Sequence, residues 1–88
     1  MPYIKKEDRP AIDALIEPLI SQLESLPQDE QDGALNYVVT KILRKLYPQK
    51  YFHLNRALGV LEAIKAEFYR RVVGPHEDQA IQENGDIN

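Results

Sequence analysis

Four carboxylates in the C-terminal half of this 88-residue chain have types and spacings that could do chemistry. They are Glu62 and Glu67, and the pair Glu83 and Asp86 in an E-x-x-D spacing. Carboxylate oxygens suit Mg²⁺, and a bound magnesium ion would polarise phosphates and activate water. Helical geometry works against a shared ion. Residues five apart diverge by about 140° around a helix, whereas metal-binding pairs stack at i, i+4. Asn84-Gly85, inside the E-x-x-D, is a helix-ending dipeptide. A magnesium site at Glu62, Glu67, Glu83 and Asp86 is therefore the alternative reading, beside that of carboxylates on a solvated tail. The leading reading expects no catalytic residue and no cofactor.

A second set of residues suits recognition better than catalysis. Lys65 falls inside an apolar arc with Leu58, Leu61, Phe68 and Tyr69, where its stem can pack while the ammonium reaches water or a carboxylate. Arg70 and Arg71 form a basic pair that Glu67 can reach at i+3 and i+4, and arginines bind phosphate and carboxylate well. Glu77 and Asp78 follow Pro75. The candidate binding residues are thus Lys65, Tyr69, Arg70, Arg71, Glu77 and Asp78, and Asn36, Thr40 and Asn55 could border the same cleft. Lys41, Arg44, Lys45 and Lys50, near Tyr47 and Tyr51, make a basic and aromatic cluster of the kind that contacts RNA. His53 and His76 have no partner at metal-ligand spacing. Ser21 and Ser25 have no strand-to-helix elbow to make either one a nucleophile.

Composition limits what these residues can serve. The net charge is −3 with 28% charged residues, and the isoelectric point near 5.3 argues against broad nucleic-acid binding. No run approaches the roughly 20 apolar residues of a membrane-spanning helix, and the first residues show no signal core. Cysteine is absent, which removes disulfides, thiolate chemistry and cysteine-bound zinc and fits a cytoplasmic setting.

The elements that must position these residues are helices. Asp8 as N-cap and Pro10 in the first turn predict a first helix from Arg9 to Leu26, with Pro18 bending or splitting it. Pro27 and Gln28-Asp29-Glu30-Gln31 read as a linker, 27–32. A second helix begins near Asp32 and ends at Leu46, before Tyr47-Pro48. The third runs from Gln49 or Lys50 to Val73. One side carries Leu54, Ala57, Leu58, Leu61, Ile64, Phe68 and Val72 at helical spacing, and the other carries small residues Gly59, Ala63 and Ala66. Gly74-Pro75 breaks it, and a short fourth helix from Pro75 to Glu83 stops at Asn84-Gly85. The expected fold is all-α: one domain, 1–88, in which three main helices form a small antiparallel bundle with a short C-terminal helix. Residues 1–8 form an N-terminal arm and 84–88 a tail.

Carboxylates from two helices, one of them bearing E-x-x-D, also hold magnesium in the all-α nucleotide pyrophosphohydrolases. That likeness is what the alternative reading implies, and the Glu62–Glu67 spacing departs from it. A closer resemblance covers most of the chain. Glu67-Phe68-Tyr69-Arg70-Arg71, followed by Gly74-Pro75-His76-Glu77-Asp78 and Glu83-Asn84-Gly85-Asp86, resembles a short family of unknown function from bacterial and phage genomes. Met1-Pro2-Tyr3-Ile4 and Leu35-Asn36-Tyr37 are similar to it as well. The resemblance implies a recurrent C-terminal segment and assigns no activity. The leading expectation is a small cytoplasmic binding or adaptor protein that forms a homodimer through its third helix. Its Arg70/Arg71 and Glu77/Asp78 end would meet a protein partner, a host protein if the phage association holds.

Overall fold

In the computed structural model, which describes residues 4–87, the chain is helical with no strand among those residues. Helix α1 is Arg9–Glu24 and α2 is Gln28–Leu46. Helix α3, Tyr51–Phe68, passes through a π-helical turn, Tyr69–Val73, straight into α4, Gly74–Asn84. The first three residues of the expected arm, and Asn88 of the tail, lie outside the described residues. Two compact units divide the chain, Met1–Pro48 and Gln49–Asn88.

The first unit is the pair α1 and α2, which touch each other. A 3-10 turn, Lys6–Asp8, leads into α1, and the Arg9 guanidinium folds back to donate to the Ile4 carbonyl at 3.1 and 3.2 Å. Asp8 occupies the cap position, but its side chain makes no capping bond. Helix α1 runs unbroken through Pro18, so the chain is not split there. The segment 28–31, read as linker, is instead the first turn of α2. The carbonyl of Pro27 accepts from the amides of Glu30 and Gln31 at 2.9 and 3.2 Å, and the Gln31 side chain donates to the Leu26 carbonyl at 3.0 Å. Asp29 and Glu30 sit at the positive end of the helix dipole, which favours acid there. A polar run that looks like a connection is thus a good helix start. Tyr47 ends α2 in extended geometry (φ −116°, ψ 118°), as a residue before proline must.

The second unit is a single helical run, 51–84, in which the expected break at Gly74-Pro75 does not occur. Proline has no amide hydrogen, and its ring collides with the carbonyl four residues back in an α-helix. The π turn avoids that collision by taking one extra residue, so that the Gly74 amide bonds the Tyr69 carbonyl, five residues back. The wider turn is also tight inside: a Cβ on Gly74 would lie 3.2 Å from the Tyr69 carbonyl oxygen. The run ends as the sequence predicts. Gly85 has φ +84°, a conformation that glycine adopts freely, and its amide bonds the Ile81 carbonyl at 2.8 Å. Open space surrounds Gly59 on the small-residue side.

Burial is sparse. Among the described residues only Ala57 is buried, at 7% exposure. Leu19 and Leu23 of α1, Leu26 just beyond it, and Ala34, Val38, Val39 and Leu43 of α2 are half-buried. Most other large apolar side chains remain exposed. No described helix is long and apolar enough to cross a membrane.

Candidate functional site

Helical periodicity gathers Glu62, Lys65, Ala66, Phe68, Tyr69 and Val73 around an open groove of about 410 Å³ along the second unit. Residues three and four apart share a helix face, so 62, 65, 66 and 69 come together on α3 and the π turn carries the series on to 73. Lys65 and Glu62 form an ion pair at 3.6 Å, with side chains 78% and 75% exposed. The floor is apolar, supplied by Ala66, Phe68 and Val73.

Tyr69 joins this groove to α4 by donating its hydroxyl hydrogen to the Glu77 carboxylate. The sequence did not announce the pair, because residues eight apart on an α-helix lie about 80° from each other. The π turn absorbs one residue, so Tyr69 and Glu77 behave as if seven apart and lie within about 20°. The bond holds the tyrosine pKa above its usual value: Glu77 accepts the proton, its negative charge opposes a phenolate, and slight desolvation and Asp78 add to both. At neutral pH this phenol is a hydrogen-bond donor and a poor base.

The arginine pair belongs to a neighbouring cluster. Arg70 donates to both oxygens of Glu67 at 2.9 and 3.1 Å, and Arg71 to one of them at 3.2 Å. Glu67 is the least exposed of the three, with a 32% exposed side chain, which fits a carboxylate gripped by two guanidinium groups. The remaining carboxylates are met locally. Glu83 accepts from the Gln79 amide at 3.4 Å, and Asp86 from the Ile87 backbone amide at 2.6 Å. Among the described residues no three of His, Asp and Glu stand together as a ligand set for a metal ion.

The structure therefore brings together Glu62, Lys65 and Tyr69 at the groove and links Tyr69 to Glu77. It places Glu67, Arg70 and Arg71 in one ion-pair cluster. Asn36 and Thr40 bond to each other at 3.0 Å within α2. Lys41 rests over the Tyr37 ring at 5.5 Å and reaches its hydroxyl at 3.4 Å. Sequence reasoning missed Val73 and Ala66 as groove walls, and the Tyr69–Glu77 bond. The signal for Val73 and for that bond was a proline set inside an otherwise helical pattern; Ala66 follows from the ordinary spacing of α3.

An exposed ion pair, a tyrosine donor and an apolar floor make a surface suited to recognition. No curated protein and no solved structure matches the chain. A family described as Domain of unknown function (DUF6899) matches residues 1–87, and the chain belongs to it.

Proposed function

We propose that this is a small helical protein-binding module that associates with a second copy of itself through the helical run 51–84, and that its bundle is completed between copies. The observation that carries this reading is the exposure of the apolar stripe. Leu54, Leu58, Ile64, Phe68, Tyr69 and Val72 are 46%, 65%, 50%, 59%, 53% and 51% exposed. A single helix has no interior, so this stripe can be covered only from outside the second unit. Left in water it forfeits most of the burial that offsets the entropy of ordering a chain.

The extent of the stripe suits a dimer. Six side chains with roughly 90 Å² each still exposed leave about 550 Å² of apolar surface per protomer. With homodimer interfaces about 65% apolar, that corresponds to roughly 850 Å² a side, the size of a stable specific interface. Arg70, Arg71, Glu77 and Asp78 offer charged groups for a further protein partner, and the cysteine-free composition suits a reducing cytoplasm. Light scattering at high micromolar concentration tests the association: a dimer mass is expected, and a strict monomer sinks the reading.

A further inference from the structure

We infer that the two copies pair antiparallel along 51–84, crossing near the groove at 65–68. This rests on the self-association proposed above and adds its orientation and its central contacts. The first argument is charge. Over 49–71 the chain carries five basic and two acidic residues, and over 72–88 it carries four acidic and no basic ones. The basic members begin at Lys50 and Arg56, and the acidic end comprises Glu77, Asp78, Glu83 and Asp86. A parallel pair sets each residue beside its own copy, acid on acid at one end and base on base at the other. An antiparallel pair lays the acidic end of each copy along the basic end of its partner, and charges flanking a helical interface set orientation in this way. The helix dipoles favour the same arrangement.

The second argument is the groove. The helical run 51–84 has its midpoint between residues 67 and 68, so a two-fold axis at that midpoint falls on the groove lined by Lys65, Phe68 and Tyr69. A two-fold contact must be self-complementary. This one is: each copy offers an exposed ring, Phe68, and an apolar hollow beside it.

Cross-linking reads the orientation directly, because the chain has no cysteine of its own. Three single variants are used in the full-length protein: Tyr51→Cys, Lys65→Cys and Ile81→Cys. The expected result is that Lys65→Cys links to itself. Tyr51→Cys and Ile81→Cys, allowed to exchange subunits, link to each other and only weakly to themselves. If Tyr51→Cys and Ile81→Cys each link to themselves, the pair is parallel, and the inference falls while self-association stands. A dimer that forms none of these links overturns the crossing point. A strict monomer by light scattering, with no link at any position, removes the self-association too.

Discussion

Replacing Phe68 by alanine separates a surface residue from an interface residue, because the two roles predict different losses. An aromatic side chain carries about 200 Å² of surface, and Phe68 is 59% exposed. About 120 Å² is therefore left for a partner to cover. At about 25 cal/mol per Å² this is roughly 3 kcal/mol per protomer, and alanine keeps about a third of it. A two-fold interface loses the difference twice, about 4 kcal/mol, which corresponds to a dimer dissociation constant raised about a thousandfold. If Phe68 only faces water, the substitution changes stability by no more than about 0.5 kcal/mol. Alanine is also the better helix former, so the helix itself is not weakened. Sedimentation equilibrium over a wide concentration range measures the constant, and circular dichroism at the highest concentration checks that helicity is kept. A constant within about threefold of the parent protein, with helicity intact, refutes the reasoning.

Other expectations follow from the same geometry. The Tyr69 phenol titrates above the usual tyrosine range, and Glu77→Gln returns it to that range. Ultraviolet titration checks this, and a late phenolate phase that survives Tyr69→Phe contradicts the assignment. Because the folded state holds that proton more tightly, the contribution to stability is complete below a pH of about 10 and fades as pH rises through the folded value. Gly74→Ala is expected to be nearly neutral in thermal unfolding, within about 0.5 kcal/mol, because the gain of about 1 kcal/mol in helix propensity offsets the crowding against the Tyr69 carbonyl. Gly74→Val, bulkier at the same place and a weaker helix former, should cost at least 1 kcal/mol more by order of magnitude. The magnesium alternative predicts a metal-dependent thermal shift of roughly 10 °C with a nucleoside triphosphate near a hundred times its dissociation constant, lost in Glu62→Gln or Asp86→Asn. The self-association reading expects no such shift.

What the sequence made legible is what short-range rules decide. Tyr47 before Pro48 had to leave helical geometry, and it does. Gly85 was the residue best able to take a positive φ and stop α4, and it does. The apolar spacing from Leu54 to Val72 correctly announced a helix. The linker reading of 28–31 failed because polar residues were weighed as loop formers. At a helix start, acidic side chains are favoured and the first amides have no helical partner anyway, so the same composition serves α2. Periodicity also names an apolar face without saying what covers it. Seven side chains from Leu54 to Val72 read as a buried face, yet Ala57 alone among them is buried.

The Gly74-Pro75 step shows where a rule stated for one residue gives way to a rule about the turn around it. A proline inside a helix is costly because one amide is lost and one carbonyl is struck by the ring. Ending the helix is one escape, and the sequence reading took it. Widening a single turn is another, and it costs the helix no continuity. The second escape leaves a trace at a distance, since one absorbed residue rotates everything beyond it by about 100° relative to everything before. That rotation turns Glu77 toward Tyr69 and carries the groove wall on to Val73. Pro75→Ala tests the causal order. With an amide restored and the clash removed, the turn is expected to close to α geometry, moving Glu77 about 80° away from Tyr69 and returning the phenol to its ordinary pKa. A Tyr69 pKa that stays raised in Pro75→Ala would show that the π turn is held by the Tyr69–Glu77 bond and not imposed by the proline.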